Sequence, residues 1–464
     1  MHRLAGCLLL LLEATAVNGA TCNWTGGGGG NTSWSSAANW NNCGGAHALP
    51  ADGDTVVFGS SSDSTNDLAG LDLTHLQFNT STGTIGGNAV TLSQGATMSG
   101  SFLSALSFGP DITLLADAQA IQSSGTAAVL GLTGTLDLNG HDVTFNGNAI
   151  VAMSGPVVGT GGIVKSGTGT LTLSGANTYS GATTISAGIV EAAGATPFGS
   201  LTAATIVASG ATLKLNGSDT SEAVTVGGDG VGNGGAIALE LGSSVLRGEV
   251  TLSADTRVDT GASTQLTMTG ALNGAFALTK SGAGQLRLLN PNAYAGAATV
   301  ESGTLRADGE VGAVAVSATA DLSGSGIIDG AIALASGGTL SPGGTIGTLT
   351  ATSLNWEGGA TLVFELGAAA ASSDHLVLEG ALIRNAGTGF TFELHDAATP
   401  PHVGTQYTLV SYGSTNFVLA DFNVVYLGTG PSASMTGALK FNGASLQYTP
   451  TAVVSDLVFR NGFD

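Results

Sequence analysis

The segment from Lys165 to Gly194, KSGTGTLTLSGANTYSGATTISAGIVEAAG, returns 115 residues later as KSGAGQLRLLNPNAYAGAATVESGTLRADG, from Lys280 to Gly309, with no gap in the register. A chain that repeats itself in this way is built from stacked units, each burying its apolar face against the next. With their flanks the two units span 159–194 and 274–309. The shared positions are Lys165 and Lys280, Gly167 and Gly282, Gly169 and Gly284, Leu171 and Leu286, Leu173 and Leu288, Asn177 and Asn292, Tyr179 and Tyr294, Gly181 and Gly296, and Gly188 and Gly303. Glycines, leucines and turn residues dominate that set, so it speaks for a scaffold more than for chemistry.

Low charge and 74 glycines in 464 residues could signal disorder, but disorder requires low hydrophobicity. Here 43% of residues are hydrophobic and the mean hydropathy is +0.33. The apolar residues fall in short alternating runs broken by Gly, Asn or Asp, the pattern of many short strands, and no long amphipathic helix is evident. With 32 acidic residues against 11 basic ones and a formal net charge of -21, the surface repels phosphate backbones, which excludes nucleic acid as a partner.

The N-terminus resembles a secretory signal over 1–20: His2 and Arg3 form a short basic region, Leu4 to Leu12 an apolar core, and small residues follow. LAGC at Leu4 to Cys7 spells a lipoprotein box but precedes the apolar core instead of following it. No other apolar segment has the length of a membrane-spanning helix in the mature chain. In an exported chain the remaining pair, Cys22 and Cys43, reads as one disulfide. His47 lies nearby, but no spacing supplies four metal ligands. Residues 21–68 hold Trp24, Trp34 and Trp40 and read as an N-terminal cap over the first open strand edge. The rival reading is a platform for stacking sugars.

From 69 to 354 the chain alternates short strands with Gly-containing turns, for example Ala211 to Leu215 with Gly217, and the turn at Pro342 to Gly344. A right-handed parallel β-helix, an all-β solenoid, satisfies this grammar, with roughly 20 to 25 residues per coil and about five coils between the repeats. An array of β-sandwiches is the structural alternative. Residues 355–450 gain aromatics and longer strand runs and read as a β-rich C-terminal domain or a capping continuation. Residues 451–464 form a short tail.

The two units resemble the autotransporter-associated β-strand repeat of bacterial passenger regions, in the lysine-glycine opening, the alternating leucines, the ANTYSG turn and the closing Gly. WTGGGGG with SSAANW, LSPGGTIGTL at Leu340 to Leu349 and SSDHLVLEGAL at Ser372 to Leu382 are similar to the same class. The resemblance implies an exported, passenger-like protein. It departs from the family in that 355–450 lacks the pattern of an outer-membrane barrel, so the expectation is a passenger without one. The closing FRNGFD is similar to short tails on exported proteins, read as a sorting tag or a last strand.

Catalysis on such a fold needs converging carboxylates. Asp137 with Asp142, Asp255 with Asp259, and Asp321 with Asp329 are the candidates, and each sits beside a turn, where Asp bonds its own backbone. His395 and His402 flank Asp396 and a Pro-Pro turn without a ligand spacing. Gly230, Gly232 and Gly235 satisfy G-x-G-x-x-G, but no helix follows, which argues against a dinucleotide site. No cofactor or metal is expected. Lys165 and Lys280 read as blunting exposed strand surface or bonding a neighbouring carbonyl, with an acidic glycan as the functional alternative. Two hypotheses follow: a non-catalytic surface protein whose shaft presents loops for adhesion or matrix association, with a cell surface, glycan or matrix as partner, and a β-helical polysaccharide lyase or hydrolase.

Overall fold

The computed structural model describes residues 19–453 apart from 45–48, 60–62, 80–81, 100–104, 118, 126–128, 290–293, 295 and 430–434. The 1–18 segment and the FRNGFD tail, with the signal and sorting readings attached to them, lie outside these residues, as do His47 and Asn292. Among the described residues there is no α-helix; short strands and a few 3-10 turns make a parallel β-solenoid. Its period follows from the sequence: in Thr170–Leu173 the threonines point outward while Leu171 and Leu173 are fully buried, so alternate side chains line one continuous core.

Three faces surround that core. The first carries Thr55–Phe58, His75–Phe78 and Gly95–Ser99, and the second carries Ser64–Asn66, Gly83–Gly87 and Ala105–Phe108. The third is a separate ladder of Leu71–Leu73, Val90–Leu92 and Ile112–Leu114. It runs to Val157–Val158, and strands resume on this face from Ser243–Leu246 onward. Parallel pairing starts before residue 69, with Thr21–Trp24 on Thr55–Phe58, and runs past residue 355 to Phe422–Leu427.

The register shows where the repeats stand. Lys165 pairs with Ile185, then Val207, Val226 and Leu252, at steps of 20, 22, 19 and 26 residues. Lys280 is absent from that column. It lies five rungs above Leu171, through Val190, Leu213, Ile237 and Val258. The expectation of about five coils gives the right separation, but the second copy is turned by one face relative to the first. A strand, a glycine corner and a second strand form a local unit, and two of the three corners hold it: the one between the first and second faces in the first copy, and the one between the second and third in the second copy. Which corner it meets depends on the unequal turns in between.

Both ends of the shaft are aromatic. Trp24, Trp34 and Trp40 are at most 6% exposed and pack edge to face, with centroids 5.0 Å apart for Trp24–Trp40 and 5.6 Å for Trp34–Trp40. Phe58, Phe78 and Phe108 carry the stack into the core. Indole faces spent on this packing are not offered to a sugar. The Cys22–Cys43 disulfide is present, with 4.4 Å between its Cα atoms. Near the other end Trp356 meets Phe390, Phe392, Phe417 and Phe422. There Met435–Phe441 and Ser445–Val453 form an antiparallel hairpin, which pairs with Tyr407–Ser411 and covers that edge.

Candidate functional site

The repeat positions face inward. Lys165 and Lys280 are 3% and 0% exposed. The Lys280 ammonium donates to the carbonyls of Ser281 (2.7 Å), Gly282 (2.8 Å) and Ser302 (3.1 Å). Lys165 donates to Gly167 and, at 3.3 Å, to Ala187. Each lysine thus clips two successive turns at a glycine corner, and burial pushes its pKa down to about 8. Of the readings open at the sequence level, blunting an exposed strand surface does not fit two side chains enclosed in the shaft, and neither does contact with a glycan.

The closing glycines complete these corners. Gly188 and Gly303 have φ of +72° and +64°, and a Cβ on either would come within 2.5 Å of two carbonyl oxygens of the turn below. Gly167, Gly169, Gly181, Gly282, Gly284 and Gly296 also lie where their backbone closes on the preceding turn. Leu286 and Leu288 are fully buried like their counterparts. Asn177 bridges three turns, accepting from the Val157 N–H and donating to the Pro197 carbonyl, both at 2.9 Å. Tyr179 meets Thr183 Oγ1 at 2.6 Å, and Tyr294 meets the Phe276 and Ala297 carbonyls at 2.8 and 3.0 Å. Burial raises both phenol pKa values.

The carboxylate candidates do not converge. Asp137 lies on the third face and accepts from the Asn139 N–H, while Asp142 bonds the Gly162 N–H beside the first. Asp255 accepts from the Ala277 N–H and Asp259 from Ser281. Asp321 and Asp329 belong to different sheets. His395 pairs with Glu393 at 2.7 Å, and the His402 N–H meets the Tyr407 hydroxyl. Gly230, Gly232 and Gly235 shape a loop around a single 3-10 turn. Among the described residues no group of three His, Cys, Asp or Glu is placed to hold a metal, and no helix is long and apolar enough to cross a membrane.

A groove of about 370 Å³ opens on the third face. Arg306 lines one end; Arg287, its register partner on the adjacent strand, stands beside the groove, and both direct Nε to the same oxygen of Asp308 at 2.7 Å. Burial pushes the Asp308 carboxyl up, but the bonds from Arg306 and Arg287 outweigh it and hold its pKa below the usual carboxylate value. The floor continues through Ser323 and Ser341, which follow Arg306 in register. The far end holds Glu365 and Asp374. Asp374 is 4% exposed, and burial pushes its pKa up to about 7 despite bonds from the Glu365 and Gly347 N–H groups.

The Pro342 to Gly344 turn is the hinge between these ends. A Cβ on Gly343 would fall 2.2 Å from Asp374 Oδ1, and one on Gly344 would fall 3.2 Å from Arg306 Cζ, whose Nη1 bonds the Gly344 carbonyl at 3.3 Å. The sequence marked this turn without revealing its neighbours, because residues 306, 321, 341 and 374 meet only once the turns are in register. The alternation of Gln285 to Leu288 gave no warning that Arg287 and Arg306 would share one acid.

The Passenger-associated-transport-repeat family matches residues 163–192 and 278–307. The Adhesin BmaC autotransporter of Brucella suis biovar 1 (strain 1330) is 31% identical over 194 residues, which is 40% of this chain and 5% of that protein. The chain therefore spans a small fraction of that curated relative's length. The crystal structure of the Haemophilus influenzae Hap adhesin aligns over 86% of this chain and 63% of its own at 13% identity, with a TM-score of 0.24, too loose an overlap to carry an argument. The chain carries two copies of the passenger-associated repeat and is similar to passenger proteins in them.

Proposed function

We propose that this chain is an exported, non-catalytic bacterial surface or extracellular protein that acts in adhesion or matrix association. The observation that carries the reading is the 194-residue likeness to a protein named as an adhesin autotransporter. It is supported by the use of the repeat lysines, leucines and glycines inside the shaft, which leaves outward side chains and loops to meet a partner. In this reading residues 1–20 are a removed leader, the Trp-rich 21–68 segment caps the shaft, and a cell surface, glycan or matrix is the partner. Fractionation of the producing cells should place the protein on the outer envelope or in the medium, and the purified mature chain should attach saturably to cells or matrix. A cytoplasmic location, or glycan cleavage in place of attachment, would contradict it.

A further inference from the structure

Elsewhere on the shaft, among the described residues, each paired lysine or arginine has at least one acid of its own: Lys214 lies against Glu191 and Glu240, Arg257 against Asp229 and Glu301, Arg247 against Asp219 and Arg384 against Asp421. At Arg287 and Arg306 the ratio inverts, and two guanidinium groups share Asp308. Each guanidinium has five N–H donors; Asp308 takes one from each, and the Gly344 carbonyl takes one more from Arg306. Their Nε atoms are held by a carboxylate that is only 8% exposed, while Arg287 and Arg306 are 30% and 19% exposed. Donor capacity therefore remains, in a fixed orientation, for a second planar oxyanion.

The rest of the groove asks for something different. Ser323 and Ser341 offer hydroxyls, and Asp321, Glu365 and Asp374 offer acceptors, so a ligand there must bring donors and no further negative charge. From the Arg306 strand to the Glu365 strand is three steps, about 14 Å at the spacing of paired strands. The strands beneath are paired on both sides, so a peptide finds no open edge to extend. The lining has little apolar floor, with only Val363 and Pro342.

We infer that this groove binds a glycan with one carboxylate, seated on Arg306 at its end and reaching the adjoining Arg287, and neutral hydroxyl-bearing sugars running towards Glu365 and Asp374. The inference deepens the adhesive reading and rests on it. Polyanionic glycans are disfavoured by the acidic far end and by the net charge of -21.

The test applies the purified chain to an array of defined oligosaccharides containing neutral, singly carboxylated and polyanionic members. Singly carboxylated glycans should be retained above both other classes, more weakly as salt is raised. Arg287→Gln should weaken retention at least tenfold in a chain that still folds, its melting temperature lowered by the lost bond to Asp308, and Arg306→Lys should keep part of the retention that Arg306→Gln loses. Failure to retain any singly carboxylated glycan, equal retention of polyanions, or retention indifferent to both arginines would overturn the inference. Cell attachment is assayed in parallel: glycan retention without attachment defeats the adhesive reading alone, and attachment without glycan retention defeats the groove assignment alone.

Discussion

The two repeat copies use the same residues on different faces, and their surroundings differ accordingly. In the second copy Lys280 reaches three carbonyls, Ala298 fills the core, and Tyr294 bonds the Phe276 and Ala297 carbonyls. In the first copy Lys165 reaches two carbonyls, and Thr183 replaces Ala298. Thr183 accompanies Tyr179, Thr205 and Glu222 in a buried polar ladder, with Thr205 bonding Glu222 Oε1 at 3.4 Å and Oε2 left without a partner. The shared positions fix corners, while the interior filling is set by whichever turns lie above. Corner geometry is portable between faces, and core polarity is not.

Changes at the corners should therefore be large and equal in both copies. Gly188→Val and Gly303→Val each combine a β-branched residue at positive φ with backbone contacts below 3 Å, and should cost more than about 3 kcal/mol in urea unfolding. A mild effect at either site would break the equivalence. The lysine clips should differ. Lys280→Met strands three carbonyls and should cost about 2 to 3 kcal/mol, whereas Lys165→Met strands two and should cost less. A neutral or stabilising outcome at Lys280 would show that burying its charge outweighs the bonds.

The polar ladder makes the first copy sensitive to pH. Burial pushes the Glu222 pKa up to about 7, so the folded chain holds a proton that the unfolded chain releases near pH 4.5. The stability tied to that proton is present below pH 4.5 and is lost as pH rises through 7; Asp374 acts in the same sense. Thermal melting should thus occur at a higher temperature at pH 5 than at pH 8, and Glu222→Gln should reduce that difference. A larger difference in the variant would contradict the assignment. Thr183→Ala gives the first copy the residue of the second and removes the partner of the Tyr179 hydroxyl, with an expected cost of about 1 kcal/mol by thermal or urea unfolding.

Much of this architecture was legible because it is local. Alternation at Thr170–Leu173 identified the inward leucines, and the glycine spacing located the corners. The family resemblance then supplied the passenger-like scaffold. The position of each copy on the shaft was not legible, since it depends on the lengths of intervening turns, including the loop at Gly230 to Gly235 that sets the longest step. Lys165 and Lys280 were ambiguous because lysine is rarely enclosed, and only three-dimensional proximity provides the carbonyls that satisfy them. The groove was hidden for a related reason: Arg306, Ser341 and Asp374 are distant in sequence, and register alone brings them to one opening.

The rotation of one copy relative to the other can be measured directly with spin labels at outward positions. The register puts Thr279 five rungs above Thr170, about 24 Å along the shaft, while Val164, the residue equivalent to Thr279 in the first copy, lies on a neighbouring face. Pulsed electron resonance should give a shorter distance for the Thr170–Thr279 pair than for the Val164–Thr279 pair. The opposite order would place equivalent residues in one column and contradict the rotated arrangement.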